Sequence, residues 1–257
     1  MTVDVDIEFV KQITKQAGQM ALDKSTNALH EFKLDNSYVT DADREIELFI
    51  ERELSKRYPD FAYLGEEYGL RGAPNAPTWT VDPIDGTTNF IFGLPLWCVS
   101  VGLVYENKPI LGVIYIPVTD ELFWAKEGEG AFCNGLPIKA LDIIEQPRRE
   151  DPLCLTSRAN ECFNVDPWVG VTRSLGSIAT ELCYVSRGSM IAIVGYVKTI
   201  WDVAAGFCIA TEAGCEWLGT KGEQLDLWWM HNDPNGLTPF IGAPPNARKW
   251  IQSHLPK

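Results

Sequence analysis

The stretch Asp82-Pro83-Ile84-Asp85-Gly86-Thr87-Thr88-Asn89-Phe90 places two carboxylates three residues apart, directly after the short apolar segment 79–81. The pattern predicts a strand that ends at Asp82 and delivers both carboxylates into a turn. Pro83 stiffens such a turn, and Gly86 allows a positive φ angle or a close backbone approach. Two carboxylates with a carbonyl between them offer the all-oxygen ligands that hard divalent cations prefer. An isolated Asp-x-x-Asp-Gly is nevertheless better explained as a capped turn, so the rest of the chain has to decide.

Further acidic motifs lie at predicted transitions between elements. Glu66-Glu67 follows a predicted short strand, and Asp43 lies three residues after Thr40, the predicted N-cap of a helix. Asp202 lies at the predicted start of a later helix. Each has a simple structural interpretation, as solvated loop charges or as carboxylates that satisfy the free amides of a helix start. Only their order and spacing together indicate a shared chemistry.

Hydrophobic periodicity predicts the surrounding elements. We expect a mixture of helices and sheets in two halves, which favours an α/β or α+β layered architecture. The acidic and basic segment 142–151 is the best boundary, and it divides the chain into 1–147 and 148–257. The predicted elements are helices over about 4–24, from Thr40 to Tyr58, over 177–186 and from about 201, a three-strand meander within 97–124, a loop over 69–78, and strands near 62–64, 153–156 and 190–194.

Taken together, the acidic motifs resemble those of the inositol monophosphatase family, which belongs to the Mg²⁺-dependent, lithium-sensitive phosphatases that include fructose-1,6-bisphosphatase. The resemblance implies a layered αβαβα sandwich with an N-terminal α+β half, a C-terminal α/β half and the metals at their junction. It also implies a homodimer. The matching motifs are Val-Thr-x-x-Asp at 39–43, Gly-Glu-Glu at 65–67, the 82–90 stretch and Trp-Asp-Val-Ala-Ala-Gly at 201–206, with further similarity at 112–115 and 130–135.

The resemblance assigns ligands to about two to three Mg²⁺ ions per subunit. Glu66, Asp82 and the carbonyl of Ile84 would hold one ion. Asp82 would bridge to a second ion, which Asp85 and Asp202 would complete. A third, looser ion would lie near Glu66, with Asp43 reaching it or its waters.

The resemblance also assigns residues to the substrate. Thr87 would orient the attacking water, and the amides of Gly86 and Thr87 would hold the phosphate beside Asp85 and Asp202. Lys33 would face the phosphate, although it lies one residue closer to the Val-Thr motif than the family's lysine does. We hypothesise that Glu66 and Thr87 together accept a proton from the attacking water. The helix expected after Gly176 would supply further amides to the anion.

Substrate choice depends on a position where the chain departs from the family. In enzymes specific for inositol phosphate, a glutamate seven residues before the Trp-Asp aspartate contacts the ring hydroxyls, and here that position is Gly195. Tyr196 and Lys198 could rebuild the pocket, and Lys198 suits a second anionic group. The sequence therefore predicts hydrolysis of a small phosphate monoester, such as an inositol, polyol or sugar phosphate. Histidinol phosphate, fructose bisphosphate and nucleotide 3′-phosphates stay open, as does a catalytically silent metal-binding regulatory protein.

Composition limits the partners. The chain has 257 residues. It contains 35 Asp and Glu residues and 22 Lys and Arg residues, which gives a net charge of −13. This balance argues against nucleic acid and anionic membranes as partners, because both are bound through basic patches. The sequence shows no signal peptide, and its seven cysteines contain no Cys-x-x-Cys pair, so we expect a cytoplasmic protein with reduced thiols.

Overall fold

The computed structural model describes residues 3–25, 29–32, 38–73, 75–143, 145–232 and 237–257. Two large sheets and the helices around them form the architecture. The helices are α1 (Ile7–Lys24), α2 (Asp41–Arg57), α3 (Thr87–Ile91), α4 (Ile178–Ser186), α5 (Ile200–Glu212), α6 (Leu227–Asn232) and α7 (Pro245–His254). The strands are β1 (His30–Phe32), β2 (Tyr38–Thr40), β3 (Ala62–Gly65), β4 (Gly69–Arg71), β5 (Thr78–Asp85), β6 (Cys98–Tyr105), β7 (Lys108–Ile116), β8 (Glu121–Lys126), β9 (Gly130–Cys133), β10 (Leu136–Ile138), β11 (Pro152–Leu155), β12 (Val171–Arg173), β13 (Ala192–Val197), β14 (Glu216–Gly219) and β15 (Thr238–Ala243).

The first large sheet has eight strands in the order β10-β9-β8-β7-β6-β5-β3-β4. Its neighbouring strands are antiparallel except for β3 and β5, which are parallel. The predicted meander forms its centre as β6, β7 and β8. The predicted loop at 69–78 is partly wrong, because β4 pairs with β3 there.

The second large sheet has five strands in the order β12-β11-β13-β15-β14. Strand β11 is parallel to both of its neighbours, whereas β15 is antiparallel to β13 and β14. All of its strands follow residue 147 and those of the eight-stranded sheet precede it. The division of the chain into two domains at that point stays a prediction.

Four apolar cores hold five layers together. Helices α1 and α2 bury Val10, Ile13, Ile46 and Ile50 against the outer face of the eight-stranded sheet. The opposite face of that sheet packs on α4 and α5, which bury their other side against the five-stranded sheet. Helix α7 covers the last face. The order is therefore αβαβα, which confirms the predicted fold class, and it follows from sheets and helices that must each bury their apolar faces.

The helix starts are set by local side chains. Thr40 caps α2, because its hydroxyl accepts from the Asp43 amide at 3.2 Å while the Asp43 carboxylate accepts from the Thr40 amide at 2.7 Å. This is the reciprocal capping box expected from the sequence. Ser177 caps α4 by accepting from the Thr180 amide at 3.3 Å. No helix in the described part of the chain is both long and apolar enough to cross a bilayer.

Candidate active site

Asp82 and Asp85 lie at the irregular end of strand β5. Asp82 pairs with Ser100 of β6, whereas Asp85 pairs with Cys98, so β5 carries one extra residue between these pairs. The prediction that the strand ends at Asp82 is therefore wrong: the strand continues through a bulge to Asp85. A bulge breaks the alternation of side chains along a strand. Two aspartates three residues apart can then approach one region, although regular alternation would place them on opposite faces.

The Asp85 carboxylate connects β5 to the start of α4. Its Oδ2 atom accepts hydrogen bonds from the Ser177 hydroxyl at 2.6 Å and from the Ala179 amide at 2.7 Å. Burial raises the pKa of Asp85 to about 6 even though these bonds favour the ionised form. The amides at the start of α4 are thus directed at a side chain of the protein. The expectation that this helix end supplies amides to a substrate anion is wrong, because Asp85 and Ser177 already occupy the amides of Ala179 and Thr180.

Asp43 is buried and only half satisfied. Its Oδ2 atom receives the Thr40 amide and hydroxyl, at 2.7 Å and 2.6 Å, while its Oδ1 atom is buried without a hydrogen-bond partner. Burial, together with the charges of Glu66 and Glu67, raises the pKa of Asp43 to about 7. An unpaired buried carboxylate oxygen is costly. It is the kind of atom that a cation or an ordered water satisfies.

Glu66 is held close to these aspartates by a carboxylate that the sequence reasoning missed. Glu47 of α2 is fully buried and accepts the amides of Glu67 at 2.7 Å and Tyr68 at 3.0 Å. A Cβ atom at Gly65 would lie 2.0 Å from Glu47 Oε1, so only glycine fits at the end of β3. The helical spacing of Glu47, four residues after Asp43 on the same face, is the signal that could have identified it.

The acidic side chains act on one another electrostatically. Burial raises the pKa of Asp82 well above its usual range, and the charges of Glu66, Asp85 and Asp202 raise it further. Burial, together with the charges of Asp85 and Glu66, raises the pKa of Asp202 to about 8. Carboxyl groups from α2, β5 and α5, and that of Glu66 directly after β3, therefore lie near enough to repel one another. The structure brings these predicted site residues into one region of the molecule.

Thr87 lies at the first position of α3, half-buried. Its hydroxyl donates to the carbonyl of Ile84 at 3.0 Å, and Gly86 precedes it with a φ of 92°. A Cβ atom at Gly86 would lie 3.1 Å from the Leu96 carbonyl oxygen, so both the positive φ and the space favour glycine. The Ile84 carbonyl keeps a second lone pair. The turn thus presents a hydroxyl, a carbonyl and two amides beside Asp85.

Two of the predicted substrate-side residues, Lys198 and Asp202, line a cavity of about 240 Å³. Asp202, Ser177, Thr156, Tyr196 and Lys198 are among the residues that line it. Gly195 is buried beside it, with a φ of +148°. Lys33 lies outside the described residues.

The loop before α4 depends on two further residues that sequence reasoning missed. Asn89 donates to the carbonyls of Leu96 at 2.5 Å and Leu175 at 2.7 Å, which ties α3 to that loop. Glu181, buried in α4, accepts the Leu175 amide at 2.7 Å and the Gly176 amide at 3.2 Å. The bond from Asn89 to Leu175 joins segments 86 residues apart, so no local pattern marks it, whereas Glu181 holds amides only five and six residues before it.

The donor set fits hard divalent cations. Within the described ranges, no three His, Cys, Asp or Glu side chains are grouped closely enough to hold a metal ion as they stand. The available donors are nevertheless carboxylate and carbonyl oxygens, with one buried carboxylate oxygen of Asp43 unpaired. Burial together with mutual repulsion raises the pKa values of four of these carboxyl groups, Asp43, Asp82, Asp85 and Asp202. Positive charge between them relieves that repulsion, and oxygen-rich sites of this kind suit Mg²⁺.

Comparison with known proteins agrees with this fold. The family model described as "Inositol monophosphatase family" matches residues 3–244. Inositol monophosphatase 3 of Solanum lycopersicum is 35% identical over 243 residues, which cover 88% of this chain and 90% of that protein. The "Fructose-1,6-bisphosphatase/inositol-1-monophosphatase" of Aquifex aeolicus is 34% identical over 196 residues, covering 72% of this chain and 73% of that protein.

Solved structures show the same architecture. The IMPase of Thermotoga maritima superposes with a TM-score of 0.84 at 26% identity, covering 96% of this chain and 95% of that one. The extragenic suppressor protein suhB of Bartonella henselae gives a TM-score of 0.81 at 30% identity, with 96% of both chains covered. Fold and sequence relatives together define a phosphatase of the hydrolase class. The chain belongs to the inositol monophosphatase family.

Proposed function

We propose that the protein hydrolyses a small phosphate monoester in a Mg²⁺-dependent reaction. The observation that carries the proposal is the convergence of Asp43, Asp82, Asp85 and Asp202, whose pKa values burial and mutual repulsion raise. A chain with a net charge of −13 repels a phosphate dianion unless such carboxylates collect cations. A buried oxygen-lined cluster beside a half-buried threonine hydroxyl supports this chemistry.

The roles of the residues follow from their contacts. Glu66, Asp82, Asp85, Asp202 and the Ile84 carbonyl would hold Mg²⁺, with Asp43 reaching an ion or its waters. When bound, Mg²⁺ polarises the phosphoryl oxygens and stabilises the leaving oxygen of an in-line displacement.

The protein's own groups orient the attacking water, accept its proton and hold the phosphate. The Thr87 hydroxyl, fixed by its bond to the Ile84 carbonyl, orients the attacking water, and Glu66 accepts the proton that this water loses. The amides of Gly86 and Thr87 hold the phosphate. Because charge in the transition state spreads over the equatorial oxygens, positioning of this kind carries much of the catalysis.

The proposal is tested by phosphate release from p-nitrophenyl phosphate with and without Mg²⁺. Glu66→Gln and Thr87→Ala are expected to lower kcat by roughly 10²-fold or more, because each removes part of the proton transfer. Thr88→Ala is the matched control, since Thr88 is the exposed neighbour of Thr87 on α3. Near-normal turnover in either active-site variant contradicts the assigned role, and no Mg²⁺-dependent release by the unmodified protein contradicts the function.

A panel of candidate phosphate esters narrows the range of natural substrates. We infer an inositol, polyol or sugar phosphate, and a relative named for both fructose-1,6-bisphosphatase and inositol-1-monophosphatase supports that class. Histidinol phosphate and adenosine 3′,5′-bisphosphate are the alternatives. We also propose that the protein is a cytoplasmic homodimer, and light scattering tests the dimer. We further propose that lithium inhibits the enzyme, which the phosphate-release assay measures.

A further inference from the structure

One wall of the cavity beside Asp202 lacks free acceptors for substrate hydroxyls. A Cβ atom at Gly195 would lie 1.9 Å from Thr156 Oγ1, and the φ of +148° at Gly195 disfavours any other residue. The Thr156 hydroxyl is itself engaged, because it accepts the Tyr196 amide at 2.9 Å and donates to the Tyr196 carbonyl at 3.3 Å. Position 195 therefore cannot carry a side chain into the cavity while Thr156 stays in place.

A second wall residue has one of its oxygens occupied by the backbone. Glu181 lines the cavity, but its Oε1 atom already accepts the Leu175 and Gly176 amides. Cys154 contributes a further side-chain hydrogen bond to its carboxyl group. A sugar ring is recognised mainly through hydroxyls that donate to such acceptors. With Thr156 and the Oε1 atom of Glu181 bonded to backbone groups, this part of the wall keeps fewer acceptors for the hydroxyls of neutral polyols.

Cationic side chains line the same cavity. Arg158 and Lys198 are both part of its wall. The positive charge of Lys198 lowers the pKa of Asp202, so its field reaches the carboxylate cluster. Arg158 holds Glu161 in a two-pronged ion pair, with distances of 2.5 Å and 2.8 Å. That pair is exposed, and exposed pairs contribute little net stability, so an anion in the cavity can compete for the guanidinium.

The backbone of Arg158 adds an independent observation. Arg158 has φ 65° and ψ 12°, a left-handed conformation that is uncommon for residues other than glycine. It lies directly before the short 3₁₀ helix at Ala159–Glu161 and two residues after Thr156. Unfavourable backbone conformations of this kind concentrate at ligand-binding positions. Guanidinium groups bind carboxylate and phosphate through two parallel hydrogen bonds.

We propose that the leaving group of the substrate carries a second anionic group, which Arg158 and Lys198 bind in the cavity beside Asp202. The inference rests on the proposed phosphatase function, because it assigns the leaving-group side of that same site. The shared chemistry is a second negative charge, supplied either by another phosphate or by a carboxylate. Lys198 and Arg158 then determine specificity for the proposed reaction.

Two matched substrate pairs distinguish the sources of that charge. Fructose 1,6-bisphosphate against fructose 1-phosphate tests a second phosphate, and 2-phosphoglycerate against glycerol 2-phosphate tests a carboxylate. With Mg²⁺ present, kcat/KM is expected to be roughly tenfold or more higher for the doubly anionic member of at least one pair. The preference should shrink as ionic strength rises, because salt screens exposed charges.

Two variants test whether Arg158 and Lys198 bind the second anionic group. Arg158→Gln and Lys198→Gln are each expected to reduce the preference ratio by roughly fivefold, through KM more than kcat. Lys221→Gln is the control, because Lys221 is exposed on a turn outside the lining of this cavity. Equal kcat/KM within both pairs, or ratios that neither variant changes, would falsify the inference while leaving the phosphatase intact. No Mg²⁺-dependent hydrolysis of any of the four esters overturns this inference, and the proposed function is overturned with it only if p-nitrophenyl phosphate is not hydrolysed either.

Discussion

A single carboxylate in this protein can use one oxygen for structural hydrogen bonds and the other for the chemistry of the site. Asp43 uses Oδ2 to close the capping box of α2 and leaves Oδ1 buried and unpaired. Asp85 uses Oδ2 to accept hydrogen bonds from the start of α4. The helix-cap interpretation and the metal-ligand interpretation are therefore compatible, because a carboxylate has two oxygens and about four lone pairs. Glu47 is different, since both of its oxygens hold the backbone after β3.

We predict that Glu47→Gln weakens Mg²⁺ activation. The variant leaves one of the Glu67 and Tyr68 amides facing a side-chain NH₂ group, which costs about 1–3 kcal/mol for an unsatisfied buried donor. Glu66 is then less well positioned, so the Mg²⁺ concentration for half-maximal activity should rise several-fold, with a smaller fall in kcat at saturation. A Mg²⁺ titration of initial rates measures both.

The matched control for this prediction is Glu45→Gln. Glu45 also lies on α2, but it pairs at the surface with Lys24. Its substitution should leave the Mg²⁺ midpoint unchanged. Equal midpoints for the unmodified protein and Glu47→Gln would show that Glu47 does not position the 66–68 loop.

At the scale of elements, the site depends on how closely α5 approaches the eight-stranded sheet. Gly102 of β6 and Gly112 of β7 lie opposite each other, and together they leave a groove for Ala205. A Cβ atom at Gly112 would lie 2.3 Å from the Ala205 carbonyl oxygen. Asp202 precedes Ala205 by one turn, so the same close approach brings Asp202 towards the end of β5.

We predict that Gly112→Ala lowers the free energy of unfolding by about 1–3 kcal/mol and weakens Mg²⁺ activation, because α5 must shift outward. Urea unfolding and a Mg²⁺ titration check the two effects. The contact is with backbone atoms of Ala205, so adding Ala205→Gly should not rescue Gly112→Ala. Rescue by that second substitution would indicate a side-chain contact instead, contrary to the structure.

At the scale of the whole molecule, the five layers place carboxyl groups of α2, β5, α4 and α5 in surroundings that raise their pKa values. Burial raises the pKa values of five carboxyl groups into the range of about 6–8, and all five belong to the site or hold its loops. They are Asp43, Glu47, Asp85, Glu181 and Asp202. Such an arrangement costs stability when cations are absent. Residues needed for function often impose that cost on a fold.

We predict that the metal-free protein loses stability as pH rises from about 5 to about 8. A raised pKa means that the native state keeps protons that the unfolded chain releases. The resulting stabilisation is complete below the unfolded pKa, near 4, and is lost as pH passes through the folded values. Asp202, with a pKa of about 8, contributes over this whole interval. Tm measured in EDTA should fall with pH, and Mg²⁺ should restore it.

Asp202→Asn isolates the contribution of that group. The variant should have a higher Tm than the unmodified protein at pH 8 without metal, a shallower dependence on pH, and little activity. Asp60→Asn, at an exposed position, should keep the original slope. Parallel Tm curves for the unmodified protein and Asp202→Asn would contradict the assigned burial of charge.

Local signals determined much of the fold before any coordinates. Helices α1, α2 and α4 and the β6–β8 meander follow from periodicity and caps, which act within a few residues. The candidate ligands, by contrast, were assigned through resemblance to the family, and their metal-binding roles stay predictions. The bulge that extends β5 to Asp85 was not predicted, because it depends on how β5 pairs with Ser100 and Cys98 of the neighbouring strand.

The sequence by itself determined the acidic motifs, the helix caps and the loss of a carboxylate at position 195, because these are properties of residue type and spacing. Only the tertiary structure decided that Glu47 holds the Glu66 loop, that Asp85 receives α4, and that Thr156 fills the space beside Gly195. Each of these contacts joins residues at least 20 positions apart. Such contacts depend on how the layers pack, and no local preference of the chain encodes that packing.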